Sequence, residues 1–450
     1  MDPYHLFMNE LINKNEGSFR MFPGLKWLNP YEAINFEEER NAIINSFSNK
    51  VKWLFKNTKP YINSISPGCK LCGEGEWSCL FITGKCNANC FYCPAPQTND
   101  DLPTAQTLKF GNPDDYAALI NEYNYKGCSF SGGEPLLVFD RLTSFLSAIR
   151  TKCPPNLYIW MYTNGILASK DKFKQLGDLG LNEARFDIGA TNYDISAIKK
   201  ASPYIKNLTV EIPAVPYRYD HYLKLLKKLI DVGVTNLNLH QIRLTQHNVR
   251  NLKFKPYTYL HGEQPTVVES ELTALKVIKI VQENKLNIGV NYCSFQYKNR
   301  FQKAGYRNKI ARKHLKNYFL SETGYGFRLY HLINGNLPSG GSIDNKQNLK
   351  LIDMNEFLSH PHQYTNIIIE ITGATLTNND KIIENLVLNK ENGDVFLDKG
   401  QAHPVIIVQK EEIPSFVDLI KGKPGPIPDQ PKLFELWRYL YIEEGLRNYF

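Results

Sequence analysis

Three cysteines, Cys86, Cys90 and Cys93, follow a short apolar run at residues 80–82 with the spacing C-x3-C-x2-C. Cysteines this close together on a loop after a strand can turn their thiolates to one point. Soft sulfur ligands select an iron–sulfur cluster or zinc over hard cations. A cubane cluster ligated by three cysteines keeps one open iron, which can bind and cleave a small molecule. The spacing predicts such a cluster, with a structural zinc knuckle as the alternative.

Two turns after later apolar strand candidates carry further functional groups. They read Gly132-Gly133-Glu134-Pro135 and Thr163-Asn164-Gly165. Glycine at two successive positions lets the backbone approach a ligand closely, because glycine lacks a Cβ atom. Glu134 offers a carboxylate to an ammonium group. Each turn could arise by chance, but the order and spacing of all three motifs favour one common site.

The three motifs together resemble those of the radical S-adenosylmethionine (radical SAM) superfamily. The resemblance implies that Cys86, Cys90 and Cys93 hold a 4Fe-4S cluster as the catalytic centre. It also implies reductive cleavage of S-adenosylmethionine to a 5′-deoxyadenosyl radical, an electron donor such as flavodoxin or ferredoxin, and hydrogen abstraction from a substrate that the motifs do not identify. The cofactor-binding residues that it implies in these motifs are Tyr92, Gly132, Gly133, Glu134, Thr163 and Asn164.

The length and composition are those of a folded globular protein. With 450 residues, 42% hydrophobic and 12% aromatic, the chain can build a full core and exceeds a usual single domain. No apolar run is long enough to span a bilayer, and the first residues lack a signal-peptide pattern, so we expect a cytoplasmic, reducing location and no membrane partner. The nine cysteines are therefore interpreted as metal ligands or buried thiols rather than disulfides. A net charge of +8 permits an anionic substrate without requiring one.

Short apolar strands alternate with amphipathic segments from about residue 78 onward. Alternation of this kind predicts parallel βαβ units and an α/β fold. The strand candidates are 79–83, 127–131, 156–162, 183–188, 207–213, 236–242 and 287–292, and the helix candidates include 137–150, 218–232 and 267–285. Six or seven such units match the partial (βα)6 barrel of the resembled family, whose ligands sit at the carboxyl ends of the strands.

The remainder of the chain divides into three further regions by composition. The predicted domains are a helical N-terminal extension (1–66), the barrel (67–323), a small β-rich domain (324–421), and a linker with a C-terminal helix (422–450). The β-rich domain is predicted from apolar runs at 327–332, 367–371, 395–397 and 405–409. A helical stripe of Leu433, Leu436, Trp437 and Leu440 is interpreted as a packing face.

Two later strand ends supply further candidates for cofactor contacts. Asp187 ends the fourth strand candidate and could bond a ribose hydroxyl, although a helix N-cap is an equal alternative. The resembled family places an apolar edge of the fifth strand against adenine, which implies Ile212 and Pro213. These assignments extend the predicted cofactor site along the strand ends.

The sixth strand candidate ends in polar residues. Strand alternation places Asn238, His240 and Ile242 on one face. Polar residues that point into a barrel are costly unless they serve a ligand or a hydrogen-bond network. His240, Gln241 and Arg243 are therefore candidates for substrate contacts, with a structural network as the alternative.

A second cysteine set lies outside the first motif. Cys69 and Cys72 form a C-x2-C pair followed by glycine, which is typical of a zinc or iron knuckle. Residues 67–312 resemble a group related to pyruvate formate-lyase activating enzyme, with this lead-in and a late Cys-Ser-x-x-Tyr-Lys run that contains Cys293. The resemblance implies one auxiliary iron–sulfur or zinc site on Cys69, Cys72 and Cys293 with its fourth ligand open. Three unrelated buried thiols are the alternative.

The substrate is left open by these patterns. A run of eight Lys and Arg residues without an acid spans 298–316 and could bind phosphate, although a solvated helix is the favoured interpretation. Peptide, nucleotide or RNA, and small-molecule substrates all stay open. Activation of a glycyl-radical enzyme is the alternative function, disfavoured by the additional regions. A zinc-knuckle RNA-binding protein without catalysis is the alternative of another class.

Overall fold

The structure is a computed structural model, and its contacts divide the chain into two compact units. It describes residues 3–106, 108–216, 221–305, 308–309, 313, 319–320, 326–332, 349–371, 405–421, 428 and 431–440. One unit consists mainly of residues 10–299, and the other consists mainly of residues 300–442. No helix among the described residues is long and apolar enough to cross a membrane. The predicted division into four domains stays a prediction.

The larger unit is built on seven strands that are parallel and adjacent in chain order. They are β1 (Trp77–Thr83), β2 (Gly127–Gly132), β3 (Tyr158–Thr163), β4 (Glu183–Phe186), β5 (Asn207–Pro213), β6 (Asn236–His240) and β7 (Gly289–Cys293). Each strand overlaps its predicted counterpart. The predicted α/β class is therefore confirmed, and the carboxyl ends of all seven strands meet at one edge of the sheet.

Shorter strands complete an eleven-stranded sheet and a small second sheet. Thr104–Ala105 and Leu108–Lys109 extend the sheet beyond β1, and Lys59–Ile62 and Val51–Leu54 extend it beyond β7. Lys26–Trp27, Thr258–Leu260 and Thr266–Val267 form a separate three-stranded sheet.

The helices between the strands are amphipathic, as the pattern predicts. In the helix Phe139–Lys152, the residues Leu142, Phe145, Leu146 and Ile149 are buried at a spacing of three and four residues. The helices of the larger unit and its lead-in are Pro3–Phe19, Pro30–Asn45, Pro67–Gly73, Pro113–Glu122, Phe139–Lys152, Lys170–Asp178, Ser196–Ala201, Tyr222–Asp231, Val249–Leu252, Val268–Glu283 and Phe295–Tyr297. Pro135–Val138 and Ile188–Thr191 are 3-10 turns, and Lys298–Lys303 is a π-helical segment.

The lead-in contains a β-hairpin that the sequence analysis did not predict. Val51–Leu54 and Lys59–Ile62 pair antiparallel, and Lys59–Ile62 also pairs antiparallel with β7. The hairpin carries lysines and Pro60, which weaken the strand pattern. Its strand character comes from pairing with β7, more than 200 residues away, which local pattern cannot show.

The smaller unit contains the antiparallel sheet that was predicted for the C-terminal region. Its strands are Phe319–Leu320, Gly326–Leu332, Leu349–Ile352, Asn366–Ile371 and Val405–Gln409, and its helical segments include Met354–Ser359, Pro361–Gln363, Ile413–Ile420 and Pro431–Leu440. Leu433 and Leu436 pack into its core with Phe416, as the helical stripe predicts. The predicted strand at 395–397, the linker signal at 422–426 and three basic residues of 298–316 (Arg307, Arg312 and Lys316) lie outside the described residues.

Candidate active site

The loop after β1 carries the first cysteine set at the carboxyl edge of the sheet. Cys86, Cys90 and Cys93 are free, half-buried thiols. The Cys93 amide donates to the Cys90 carbonyl at 3.0 Å, and the Cys86 amide donates to the Gln97 carbonyl at 3.2 Å, which folds residues 86–97 into a closed loop. Burial, helped by nearby Asp187, raises the pKa of Cys90 to about 12, and burial also raises that of Cys93. Binding of a metal cluster here must therefore release protons.

The Gly132-Gly133 turn lies directly against the start of this loop. The Gly133 amide donates to the Thr83 carbonyl at 2.8 Å, and the Glu134 amide donates to the Lys85 carbonyl at 2.7 Å. A Cβ atom on Gly133 would lie 1.8 Å from the Lys85 carbonyl oxygen. The two glycines were expected to admit a ligand. In the structure, the backbone of Thr83 and Lys85, just before the cysteine loop, lies against these two glycines instead.

The Glu134 carboxylate joins its own turn, at residues 132–135, to the turn at residues 163–165. It is fully buried and accepts hydrogen bonds from the Leu136 amide at 3.0 Å, the Thr163 hydroxyl at 2.7 Å and the Asn164 amide at 2.6 Å. Burial raises its pKa in spite of these donors. The carboxylate was expected to face a ligand ammonium group. The structure instead gives it three partners from the chain, so cofactor binding by this side chain stays a prediction.

A Glu134→Gln variant tests the bridging role. The amide group of glutamine has one acceptor atom, so at least one of the three donors is left facing an NH2 group. An unsatisfied buried donor costs about 1–3 kcal/mol. We expect a loss of that size in the free energy of unfolding, measured by urea denaturation. Glu38→Gln, on an exposed helix position, should change it by less than about 0.5 kcal/mol. Equal effects of the two substitutions would contradict the bridging role.

The turn at residues 163–165 also contacts the cysteine loop at residues 86–97, called the cluster loop below. Asn164 donates from Nδ2 to Asn87 Oδ1 at 2.7 Å, and the same nitrogen lies 3.5 Å from Cys86 Sγ. Its own Oδ1 accepts from the Ile166 amide at 3.0 Å, which fixes the side chain. Asn164 thus places a polar donor beside the first cysteine of the set.

The end of β4 holds the loop from the other side. The Tyr92 hydroxyl donates to Asp187 Oδ1 at 2.8 Å, and the Gly189 amide donates to the same oxygen at 3.1 Å. Asp187 therefore has the N-cap role that was one of its two predicted alternatives, and it also positions Tyr92. Burial raises the pKa of Asp187 to about 6. A contact to ribose stays a prediction.

The two candidates on β5 lie on different faces. Glu211 contacts Arg185 in the barrel interior, and strand alternation places Pro213 on the same face. Ile212 is completely buried and lies on the opposite face. Of the two predicted adenine contacts, alternation therefore leaves only Pro213 facing the interior.

Residues 80–247 match the family model described as "Radical SAM superfamily", and this range contains all three motifs. The chain carries a radical SAM domain. The predicted superfamily and the enzyme class are thereby confirmed, as are the 4Fe-4S cluster and S-adenosylmethionine that define the superfamily.

Similar proteins come from several organisms. A Methanocaldococcus jannaschii protein named "Putative glycyl-radical enzyme activating enzyme" is 27% identical over 350 residues, which cover 75% of this chain and 88% of that protein. A Methanococcus maripaludis protein named "Probable GTP 3',8-cyclase" is 30% identical over 164 residues, 36% of this chain and 48% of that protein. Streptococcus suis SuiB bound to precursor peptide SuiA is a similar solved structure, with 12% identity, a TM-score of 0.38 and coverage of 66% of this chain and 63% of that one.

The donor set of the radical SAM domain fits an open cluster. The three thiols lie on one short loop, and backbone hydrogen bonds fix its course. Among the described residues, no three His, Cys, Asp or Glu side chains are already spaced as a complete set of metal ligands, and this applies to both cysteine sets. Binding of a cluster by these three thiols would require their rotation toward a common point.

The second cysteine set is buried inside the barrel. The helix Pro67–Gly73 carries Cys69 and Cys72, and a Cβ atom on Gly68 would lie 2.4 Å from the guanidinium of Arg185 on β4. Cys293 ends β7. All three thiols are buried, and Cys69 and Cys293 add to the effect of burial in raising the pKa of Cys72. The structure therefore brings the three predicted residues into one region.

Cys293 has a cationic partner that was not predicted. Lys59 from the hairpin is fully buried and donates from Nζ to Cys293 Sγ at 2.7 Å. Although burial raises thiol pKa values, Lys59 and His240 lower that of Cys293 to about 6. Burial opposes a charged lysine, yet Cys293 raises the pKa of Lys59. Each partner therefore favours the charged form of the other.

The three predicted substrate residues have separate environments. His240 Nε2 lies 2.7 Å from Glu211 Oε1, so His240 belongs to the barrel interior. Gln241 Oε1 accepts from the Phe295 amide at 3.0 Å and fixes the segment after β7. Arg243 is exposed and near enough to Cys93 to lower the pKa of that thiol. The structure thus does not bring the three together, and a role in substrate binding stays a prediction for each.

Sequence reasoning missed Lys59, Arg185 and Glu211. Arg185 bonds Glu183, Glu211 and Ser66 inside the barrel, and Asn238 donates to Glu211. The signal was present in part, because charged residues at alternate positions of a buried strand must point inward together. No local pattern in the sequence indicates that Lys59 is buried beside a thiol.

Proposed function

We propose that Cys86, Cys90 and Cys93 hold the cluster whose open iron cleaves S-adenosylmethionine, and that the resulting 5′-deoxyadenosyl radical takes a hydrogen atom from a substrate at the carboxyl edge of the sheet. One observation carries the proposal. The segment 85–97 that carries the three cysteines is hydrogen-bonded to residues that follow three neighbouring strands, namely Glu134 after β2, Asn164 after β3 and Asp187 after β4.

The residues around the loop have defined tasks in this proposal. Gly132 and Gly133 present backbone groups at the edge where the methionine part of the cofactor would lie. Tyr92, held by Asp187, orients the last turn of the loop. Buried Asn248 donates to the Tyr92 carbonyl at 3.2 Å and supports the same turn. Fixed donors in a region shielded from water bind and orient a charged ligand without further reorganisation.

The experiment is anaerobic reconstitution with iron and sulfide, followed by dithionite and S-adenosylmethionine. We expect a broad absorbance near 400 nm and formation of 5′-deoxyadenosine and methionine, in rough accord with cluster chemistry. Dithionite replaces the proposed protein electron donor, a flavodoxin or ferredoxin. A colourless protein that forms no 5′-deoxyadenosine would sink the proposal.

A second candidate function follows from the name of the M. jannaschii relative, which aligns with 75% of this chain. Under this candidate the hydrogen atom comes from a backbone glycine of a partner enzyme. The test is to incubate the reconstituted enzyme with a purified glycyl-radical enzyme and to look for a glycyl radical by electron paramagnetic resonance. A modified peptide, nucleotide or small molecule without such a radical would favour the broader proposal.

A further inference from the structure

The fold assembles three buried thiols from two distant segments. Cys69 and Cys72 are three residues apart on one short helix, so their side chains share a face. The side-chain amide of Asn238 donates to Cys69 Sγ at 3.2 Å, and Cys293 Sγ lies 3.5 Å from Asn291 Oδ1. Asn291 also hydrogen-bonds Asn238 directly. A single chain of side chains therefore connects Cys69 to Cys293.

One ring nitrogen of a histidine beside these thiols is buried without a hydrogen-bond partner in the part of the chain that the structure describes. His240 and Cys293 are paired in register at the ends of β6 and β7. His240 Nε2 is engaged by Glu211 Oε1 at 2.7 Å, whereas Nδ1 is buried and has no hydrogen-bond partner among the described residues. Paired residues of neighbouring strands point to the same face of a sheet, so the imidazole of His240 and the thiol of Cys293 lie side by side. Because Nε2 faces Glu211, Nδ1 is the ring nitrogen left for the thiols.

We propose that Cys69, Cys72, Cys293 and Nδ1 of His240 bind one zinc ion inside the barrel. Three thiolates and one imidazole are an ordinary ligand set for tetrahedral structural zinc, and C-x2-C is its usual spacing. A histidine that binds a metal through one ring nitrogen donates its other N–H to a carboxylate or carbonyl. Glu211 already occupies that position on His240. The unpartnered Nδ1 thus supplies the fourth ligand that the sequence left open.

The charges around the site match such a centre. Lys59 is a buried ammonium, and its described contacts are Cys293 Sγ at 2.7 Å and the Tyr297 ring at 4.2 Å. A buried cation needs a paired anion. Zinc with three thiolates and a neutral imidazole carries one net negative charge, which is the anion that the Lys59 ammonium needs.

Zinc binding requires small movements of the thiols. Cys69 Sγ now accepts from Asn238, and the described side chains are not yet spaced as a ligand set. Rotation of cysteine side chains about χ1 moves the sulfurs without moving the helix or the strand. A metal-bound thiolate can still accept the hydrogen bond from Lys59, which then neutralises the centre from outside.

The test is the zinc, iron and sulfide content of the full chain purified without added metal. We expect about one zinc per chain in the wild type, and loss of that zinc in Cys69→Ser/Cys72→Ser, in line with the stoichiometry of such sites. His240→Gln keeps all three thiols and should bind zinc more weakly in a chelator competition. Glu211→Gln, which keeps the shape of the side chain, should lower the affinity for zinc by about 10- to 100-fold. Cys153→Ser, at a buried thiol away from the site, is the matched control and should retain zinc.

Three outcomes would overturn the zinc proposal. They are a wild type without zinc, unchanged zinc in Cys69→Ser/Cys72→Ser, or loss of iron and sulfide instead of zinc in that variant. Circular dichroism of His240→Gln verifies folding, so a weak site is distinguished from an unfolded chain. The zinc proposal does not depend on cofactor cleavage, because zinc is measured on the chain as purified and 5′-deoxyadenosine is measured separately after reconstitution of the same variants.

Discussion

Replacing Cys86, Cys90 and Cys93 by alanine should abolish 5′-deoxyadenosine formation and remove about four irons per chain after reconstitution. The physical reason is the absence of thiolates on the loop that three strand ends hold in place. The measurement combines iron and sulfide analysis with chromatography of 5′-deoxyadenosine after reduction by dithionite.

The control for this prediction is Cys128→Ala. Cys128 is a fully buried thiol on β2 whose pKa is raised by burial, and it lies in the core rather than on the loop. The control should keep both iron and activity if it folds. Zinc should persist in the triple variant if the second site is separate. Undiminished 5′-deoxyadenosine from the triple variant would show that the loop is not the catalytic centre.

Replacing Arg185 by methionine should destabilise the chain by about 3–5 kcal/mol, because it leaves buried carboxylates without their cation. The Arg185 side chain is 2% exposed, and its nitrogens lie 2.9 Å from Glu183 Oε1 and 3.1 Å from Glu211 Oε2. A third nitrogen donates to Ser66 Oγ at 2.9 Å, beside the helix that carries Cys69. The measurement is denaturation by guanidinium chloride.

Two further variants make this test specific. Arg250→Met, at an exposed position, should change the free energy of unfolding by no more than about 0.5 kcal/mol. Arg185→Met combined with Glu183→Gln should cost less than the sum of the two single changes, because the second change removes one of the unpaired charges. A cost for Arg185→Met equal to that for Arg250→Met would contradict a stabilising role of the network.

The local features of the sequence were sufficient to predict the sheet and the cluster loop. Strand β5 was predicted at 207–213 and is observed at Asn207–Pro213, and the other six barrel strands overlap their predictions. Apolar runs between turn residues are local signals, and so is the C-x3-C-x2-C spacing. The carboxyl ends of parallel strands must meet at one edge, so the three motifs were expected together.

The partners of the buried polar groups were decided by tertiary structure. Glu134 was expected to face a ligand, but the packing of two turns gives it Thr163 and Asn164. Lys59 has the sequence context of a surface lysine, yet hairpin pairing with β7 buries it against Cys293, 234 positions away. Sequence spacing specifies which groups can bind a metal or a charge. Which of them meet depends on strand order and register, because those alone determine the neighbours of a side chain inside the barrel.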